Sequence, residues 1–408
     1  MHAQDTHDSR HTGDVESNRR KFLRDSVILG AGVISAASSR GEAQAQAAAP
    51  AAAAAAASAA PAAGAKPAAL TYADVMTKAR EVLYPVCRVC PECNGVACAG
   101  EVPGLGGIGS GAAFRNNYNS LQRIQLKMRT VHGVTRPETS IDLFGHMIAF
   151  PAVGAPTGGT TYNMGNKMGE EAYIEAVIGG CAAAGTVGSV ADGIGDPVEV
   201  YERRLAKLSE LGFKAIASVK PRTQEEIIAR MKKAEAAGAI AISMDIDSAG
   251  RAARALPGQT VEPKDLAKLR ELVKATQLPF IVKGVMTAEE AVMAMRAGAA
   301  GIVVSNHGGR VLDHTPGTAE VLPAIADKVK GKVFIFVDGT VKYGHDVLKY
   351  VALGADAVMV GRHIVRGAHG GGKQGVALLM NRMRQELVDA MVLTGCANAK
   401  AIARGAVV

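Results

Sequence analysis

The sequence predicts an α/β protein whose main domain is a barrel of eight parallel strands and eight helices, a (β/α)8 barrel. From residue 148 onward, short apolar runs alternate with longer amphipathic segments, which is typical of α/β architecture. Glycines that can end helices follow four of the amphipathic segments, at Gly212, Gly238, Gly298 and Gly354. Eight such units within about 250 residues match a single barrel. A doubly wound open sheet is the structural alternative.

The individual elements can be assigned in chain order. The predicted strands are Ile148–Val153, Thr186–Val190, Lys214–Val219, Ala239–Met244, Pro279–Lys283, Gly301–Ser305, Lys332–Asp338 and Ala355–Gly361. The predicted helices are Glu170–Ala184, Val198–Leu211, Gln224–Ala237, Lys264–Thr276, Ala288–Ala297, Thr318–Val329, His345–Leu353 and Gln374–Thr394. In such a barrel the side chains at the carboxyl ends of the strands point into the active site, so polar residues there are the functional candidates.

Three segments precede the barrel, which we place at residues 139–408. Residues 1–46 contain the pair Arg19 and Arg20, then an apolar run and small residues, which together are typical of a twin-arginine export signal. Residues 47–69 are almost all alanine and proline and read as a linker. Residues 70–138 form a cysteine-rich segment. We therefore expect an exported or periplasmic protein that has no membrane span once the signal is removed.

The charge pattern argues against a nucleic-acid partner. The chain carries 46 Lys and Arg against 38 Asp and Glu, a formal net charge of +8, but the two signs are interspersed and tryptophan is absent. No basic stripe with interleaved aromatic residues is present, as a nucleic-acid face would require. The positive balance favours small anionic molecules instead.

Four of the six cysteines lie close together, at Cys87, Cys90, Cys93 and Cys98. The C-x2-C-x2-C spacing resembles the start of a ferredoxin-type site, although the fourth cysteine departs from the usual run. An iron–sulfur cluster, zinc, disulfides formed after export and structural thiols are all open alternatives. The other two cysteines lie in helical segments and are expected to be buried thiols.

The strand predicted at Gly301–Ser305 ends in the most informative residues of the chain. His307 and Arg310 follow it directly, three residues apart. Histidine can accept a proton near neutral pH, and arginine can hold a carboxylate through two parallel hydrogen bonds. A base beside a carboxylate clamp suits chemistry at the carbon next to a carboxylate. The alternative is a loop histidine and a surface arginine.

These residues belong to a set of motifs that resembles the FMN-dependent α-hydroxy-acid oxidising enzymes, the family of glycolate oxidase, lactate oxidase and the lactate dehydrogenase flavoproteins. The likeness runs from about residue 139 to residue 402. The motifs are Ala-Pro-Thr-Gly at 155–158, Leu-Pro-Phe-Ile-Val-Lys-Gly at 278–284, Ser-Asn-His-Gly-Gly-Arg-Val-Leu-Asp at 305–313, Val-Asp-Gly at 337–339, Leu-Gly-Ala-Asp at 353–356 and Val-Gly-Arg at 360–362.

The resemblance implies an activity and a role for each matching residue. The enzyme would use FMN to oxidise a small 2-hydroxy acid to the 2-oxo acid. His307 matches the base, Arg310 the carboxylate clamp, Lys283 the lysine beside the flavin N1–O2 edge, and Asp245 the aspartate that orients the histidine. The residues that match cofactor contacts are Pro156, Thr157, Ser189, Ser243, Lys283, Ser305, Asp338, Gly339, Gly361 and Arg362. We also expect a homo-oligomer, and the electron acceptor (oxygen, a quinone or a cytochrome) stays open.

The chain departs from the family pattern in the substrate half of the site. Ala217 stands where the family has a pocket tyrosine, and Tyr84 is the nearest candidate for a second one in the N-terminal segment. Ala252 aligns with a carboxylate-binding arginine, and Lys342 and Tyr343 replace the phosphate-loop arginines. Two alternatives therefore remain: an FMN-dependent isomerase or another flavin enzyme on this barrel, and a flavin electron-transfer protein with a cysteine-bound cluster.

Overall fold

Two helices and a short hairpin come before the barrel in the computed structural model, which describes residues 69–254 and 256–408. These elements are α1 (Tyr72–Leu83), α2 (Ala112–Arg123), β1 (Ile141–Leu143) and β2 (His146–Ile148). Helix α1 begins at a capping box, in which Thr71 and Asp74 each accept a hydrogen bond from the other's backbone N–H. The predicted export signal and the predicted linker up to residue 68 lie outside the described residues.

Eight parallel strands form the centre of the structure, as the sequence predicts. They are β3 (Ala152–Gly154), β4 (Gly188–Ala191), β5 (Ala215–Val219), β6 (Ala239–Asp245), β7 (Phe280–Val285), β8 (Gly301–Val304), β9 (Phe334–Val337) and β10 (Ala357–Val360). The hydrogen-bonded order is β3-β10-β9-β8-β7-β6-β5-β4. Nearly every residue of these strands is buried, which explains why they read as continuous apolar runs.

The sheet nearly closes between β3 and β4, the two strands at the ends of its hydrogen-bonded order. The Gly154 N–H donates to the Val187 carbonyl at 2.8 Å, just before β4. The Thr186 hydroxyl donates to the Ala152 carbonyl at 2.5 Å. These bonds join β3 to the β4 segment, so the architecture is a nearly closed barrel and the open-sheet alternative is wrong.

Helices follow the strands at or near the predicted positions. They are α3 (Glu170–Ile174), a π turn (Glu175–Gly179) and α4 (Gly180–Ala183), α5 (Val198–Leu211), α6 (Gln224–Ala236), α7 (Leu266–Lys274), α8 (Ala288–Ala297), α9 (Thr318–Val329), α10 (Gly344–Ala352) and α11 (Arg362–Thr394). Short 3-10 turns cover Ile246–Arg254, Ala399–Ala401 and Arg404–Ala406. Helix α11 begins twelve residues before the predicted Gln374 (374 − 362), and it bends at Gly371 and Gly372, where the backbone leaves helical geometry. That glycine-rich bend masked the first part of the helix in the sequence.

The cysteine-rich segment packs directly on the barrel and belongs to the same compact unit. Helix α1 lies against α11 at Gly370, where a Cβ would come within 2.1 Å of the Val75 carbonyl oxygen. Helix α2 is joined to α10 of the barrel, because Lys349 Nζ on α10 donates to the Leu121 carbonyl of α2 at 3.2 Å. Residues 70–138 therefore reach the barrel mouth as a fixed part of the fold. Among the described helices, none has the length and apolar character needed to cross a membrane.

Candidate active site

A cavity opens at the carboxyl ends of the barrel strands, where the sequence predicts the site. It encloses about 1290 Å³ of atom-free space, including its open mouth. The predicted residues that line it are Pro156, Thr157, Lys283, His307, Arg310, Asp338, Gly339, Gly361 and Arg362. Residues that follow the first and the last barrel strands of the chain, β3 and β10, thus converge on one cavity.

His307 lies two residues beyond Ser305 in a left-handed backbone conformation, with φ of 57°. Such a φ is uncommon for a residue with a side chain and is held here by a hydrogen bond from the His307 N–H to Ser305 Oγ at 3.0 Å. The imidazole Nδ1 is 3.0 and 3.1 Å from the two carboxylate oxygens of Asp247. Burial, helped by the cation of Lys283, lowers the pKa of His307 to about 4 despite the opposing effect of Asp247. The ring is therefore neutral at pH 7 and can accept a proton.

Asp247, and not Asp245, is the partner of the histidine, which corrects the sequence prediction. Asp247 lies in the 3-10 turn after β6, and Gly284 on β7 makes room for it: a Cβ at Gly284 would lie 2.7 Å from Asp247 Cβ. Gly284 also has φ of 107°, a conformation that favours glycine. Burial alone would raise the pKa of Asp247, but the facing His307 and Lys283 lower it overall. The carboxylate is therefore charged beside the ring.

Asp245 instead links two lysines at the base of the cavity. It is fully buried at the end of β6, 3.1 Å from Lys283 Nζ, and also pairs with Lys220 Nζ. Burial would raise the pKa of Asp245, but Lys220 and Lys283 hold it well below its usual range. Lys283 stays a cation for the same reason. Burial alone would lower its pKa, but the surrounding carboxylates outweigh burial and raise the pKa above its usual value. A fixed positive charge therefore lies at the floor of the cavity.

Arg310 reaches across the cavity mouth to the N-terminal segment. Its Nη1 donates to the Gly104 carbonyl and, at 3.4 Å, to the Gly106 carbonyl. Its Nη2 donates to Asn163 Oδ1 at 2.8 Å. The guanidinium that the resemblance assigns to a substrate carboxylate thus contacts backbone and amide oxygens at the cavity mouth.

Arg362 is anchored in a similar way by neutral groups. Its Nε donates to the Leu105 carbonyl at 2.6 Å, and its Nη2 donates to the carbonyls of Gly106 and Gly308 at 3.1 and 2.9 Å. The guanidinium also stacks on the Phe114 ring, 3.7 Å from its centroid. No carboxylate pairs with Arg362 among the described residues, so its charge is available to an anion.

The remaining predicted cofactor residues lie one layer behind the cavity wall. Ser189 Oγ donates to the Gly154 carbonyl at 2.5 Å, and Ser305 Oγ donates to Asp338 Oδ2 at 2.7 Å. Ser243 is fully buried at 0% exposure, and its hydroxyl has no partner among the described residues. The roles of these serines in cofactor binding stay predictions.

The cavity fits FMN because it has unsatisfied polar atoms along its length. Among the described residues, the buried polar atoms without a hydrogen-bond partner include Asp338 Oδ1, Thr340 Oγ1 and His363 Nδ1, all on residues that line the cavity. Buried polar groups are rarely left unpaired unless a ligand, water or ion completes them. A polyhydroxylated chain ending in phosphate would satisfy these atoms and meet Arg362.

Some functional candidates were missed in the sequence. Asn163, Lys220 and Tyr162 also line the cavity, as does Arg251, which the sequence already placed next to the position of the family's second arginine at Ala252. Burial raises the pKa of Tyr162 to about 12, so its hydroxyl is protonated. It is the tyrosine of this cavity, whereas Tyr84 is 63% exposed and lies outside it. Lys220 directly follows the end of β5, a signal that could have found it. Asn163 and Tyr162 lie in a loop, where the sequence carries no such signal.

The predicted cysteine ligands do not form a site for a single metal ion. All six cysteines are free thiols. Within residues 69–254 and 256–408, the one trio of potential ligand side chains whose ligand atoms lie within 4.8 Å of one another is Asp245, Asp247 and His307. Tetrahedral zinc needs four thiolates closer together than that, at a Zn–S distance of about 2.3 Å. The thiols of the described residues therefore give no support to the zinc alternative.

Comparisons with known proteins agree with this geometry. A family model described as FMN-dependent dehydrogenase matches residues 105–267 and 252–408. Peroxisomal (S)-2-hydroxyacid oxidase GLO3 of Arabidopsis thaliana is 30% identical over 329 residues, which cover 71% of this chain and 86% of that protein. L-lactate oxidase of Lactobacillus jensenii is 31% identical over 313 residues, 69% of this chain and 74% of the relative.

Solved structures give the same result. Mandelate oxidase with 3,3-difluoro-2-hydroxy-3-phenylpropionic acid superposes with a TM-score of 0.65 at 30% identity, over 82% of this chain and 97% of that one. A mandelate oxidase mutant with a C4a-OH-FMN adduct has a TM-score of 0.66 at 30% identity, over 81% and 97% of the two chains. The predicted family is confirmed: this chain belongs to the FMN-dependent dehydrogenases and is a flavin oxidoreductase.

Proposed function

We propose that this enzyme oxidises a small 2-hydroxy acid to the corresponding 2-oxo acid with His307 as the base. The observation that carries the proposal is the neutral imidazole of His307, oriented by Asp247 at the rim of the cavity that Arg310 and Lys283 share. FMN, when bound, accepts the two electrons of the oxidation. The relatives named as 2-hydroxyacid, lactate and mandelate oxidases support this choice of substrate class.

The contact with Asp247 decides which imidazole nitrogen of His307 accepts the proton. Since Nδ1 faces the Asp247 carboxylate, it carries the hydrogen and donates it. Nε2 is then the nitrogen with a free lone pair, and it takes a proton from the substrate. The charged carboxylate stabilises the imidazolium that results. Asp247 is in this sense a positioning residue for His307.

The cations divide between substrate and cofactor. Arg310 would bind the substrate carboxylate in place of the neutral oxygens that it contacts now, because a carboxylate is a stronger acceptor for guanidinium. Lys283, buried at the floor, would stabilise negative charge on the flavin ring. Asp338, Gly339, Gly361 and Arg362 would hold the ribityl and phosphate groups at the other end.

Substitution of Arg310 by lysine tests the carboxylate contact. The change keeps the charge but removes the two-pronged hydrogen bond, and one charge-assisted hydrogen bond is worth about 1.5–3 kcal/mol. We expect KM for the best 2-hydroxy acid to rise roughly 10- to 100-fold. Steady-state kinetics would measure it, with Arg203→Lys on the exposed face of α5 as the matched control. An unchanged KM would show that Arg310 does not bind the carboxylate.

We further propose that residues 1–46 export the folded enzyme by the twin-arginine route. The Arg19–Arg20 pair before an apolar run supports this. Replacing both arginines by lysine should leave flavin-loaded enzyme in the cytoplasm, as fractionation followed by flavin fluorescence would show. Unchanged delivery to the periplasm would contradict the proposal.

The expected homo-oligomer also stays a prediction, which light scattering would check.

A second candidate function is electron transfer through a cysteine-bound cluster next to the flavin. The observation that favours it is a second cavity, lined by the four clustered cysteines, that shares part of its wall with the first. Such a group would suit a one-electron acceptor, whereas the relatives named as oxidases favour oxygen. Rapid consumption of oxygen by the reduced enzyme would favour the oxidase; slow consumption of oxygen with fast reduction of a cytochrome would favour electron transfer.

A further inference from the structure

The four clustered cysteines share a cavity of their own, although they lie too far apart for a single ion. This cavity encloses about 350 Å³, including its mouth, and lies between the N-terminal segment and the first turns of α11. Its wall contains Cys87, Cys90, Cys93 and Cys98 together with two arginines, Arg362 and Arg366. The four cysteines that lie close together in the sequence therefore also line one cavity in the structure.

Arg366 is the feature that points to an anion in this cavity. Its side chain is buried, at 3% exposure, with Nη2 only 3.1 Å from Cys93 Sγ and 3.8 Å from Cys87 Sγ. Its Nε has no hydrogen-bond partner among the described residues. Neither Arg366 nor Arg362 is paired with a carboxylate in that part of the chain. A buried cation without a carboxylate partner is unfavourable, so Arg366 beside two sulfurs calls for negative charge on or between them.

The loop that carries the cysteines is held in place by contacts of its own. Arg88 forms a two-pronged pair with Glu101, at 2.8 and 2.7 Å, which closes the segment around the cavity. Arg80 donates to the Val89 carbonyl at 3.0 Å. The Val89 N–H points at Cys87 Sγ at 3.4 Å, the kind of N–H···S contact that tunes cluster ligands. The thiols are therefore presented by a fixed scaffold.

We propose that Cys87, Cys90, Cys93 and Cys98 bind an iron–sulfur cluster of the [4Fe–4S] type. In such a cluster each thiolate binds a different iron, so the four sulfurs stand farther apart than around one ion. That matches thiols that line one cavity without forming a single-ion site. The thiolates also supply negative charge beside the buried cation of Arg366.

The position of this site relates it to the flavin cavity. Cys93, Leu105, Arg362 and Arg366 line both cavities, so the cluster would lie beside the end of the cavity assigned to the phosphate. The inference concerns binding alone, and it stands whether or not the enzyme oxidises a 2-hydroxy acid.

Iron and sulfide analysis of the full chain tests the proposal. The protein would be purified without oxygen, reconstituted with ferrous iron and sulfide, desalted and analysed for iron, acid-labile sulfide and zinc. We expect about four irons and four sulfides per chain, and an electron paramagnetic resonance signal after dithionite reduction. Cys93→Ser should lose most of the iron, whereas Cys396→Ser, outside the cavity, should keep it.

The proposal would be overturned by about two irons or fewer per reconstituted wild-type chain, by one zinc per chain in place of iron, or by equal iron content in the Cys93→Ser and wild-type proteins. Intact mass resolves disulfides, each of which removes two hydrogens, and two disulfides that persist after reduction and reconstitution would also overturn it. Flavin content and circular dichroism report whether Cys93→Ser is folded. If it is not folded, the wild-type iron and sulfide content decides.

Discussion

Replacing His307 by alanine is expected to slow flavin reduction by substrate about 10²- to 10⁴-fold, the usual contribution of a general base. The alanine variant has no Nε2 to take the proton, while the cavity wall is otherwise kept. Anaerobic stopped-flow absorbance of the flavin would measure the rate. His314→Ala is the matched control, because His314 lies in the same loop region with 78% of its side chain exposed.

The rate of flavin reduction in the wild type should also depend on pH in a defined direction. The base must be deprotonated, and its pKa is lowered to about 4. The rate in the wild type should therefore be flat on the alkaline side of that value and fall as the pH is lowered towards it. An alanine variant that reduces flavin as fast as the wild type would show that His307 is a loop histidine.

Asp247→Asn has the second-largest expected effect, a loss of about 10²- to 10⁴-fold in the same rate, by comparison with aspartate–histidine pairs in other enzymes. The amide removes the charge that stabilises the imidazolium and can hold the wrong tautomer of His307. Since Asp247 raises the pKa of His307, the acid limb of the pH profile should also move lower in this variant. Stopped-flow rates from neutral pH to well below the wild-type acid limb would measure both effects.

Two further variants make the assignment specific. Asp327→Asn removes a carboxylate from an exposed surface pair with Arg404 and should have no effect. Asp245→Asn should move the acid limb lower by less than Asp247→Asn does, because Asp245 raises the pKa of His307 only through its charge, whereas Asp247 also accepts its hydrogen bond. If Asp245→Asn shifted the acid limb and Asp247→Asn did not, the orientation of His307 would have been assigned to the wrong carboxylate.

The barrel could be predicted from the sequence because its signals are local. Each strand is a short apolar run, and several helices carry their own caps, such as the capping box in which Thr223 and Glu226 accept hydrogen bonds from each other's backbone. Lys283 and Asp338 were assigned through the resemblance to the family, and both stand at the end of a predicted strand. Their position follows from where an apolar run stops.

The parts of the site that were missed depend on contacts between distant residues. Asp247 reaches His307 only because Gly284, on another strand, leaves room for its loop. Arg310 and Arg362 are held by carbonyls of residues 104–106, which lie some 200 residues earlier in the chain. No periodicity or spacing encodes such contacts. The substitution at Ala217 could be read, but Tyr162, which supplies the tyrosine of the cavity, lies in a loop.

Anaerobic mixing of the purified full chain with a panel of 2-hydroxy acids, while flavin absorbance is recorded, tests the central claim most directly. We expect a yellow protein that releases FMN on denaturation. At least one acid should bleach the oxidised flavin band and yield one 2-oxo acid per flavin. A protein that binds no FMN, or a flavin that no 2-hydroxy acid reduces, would contradict the account.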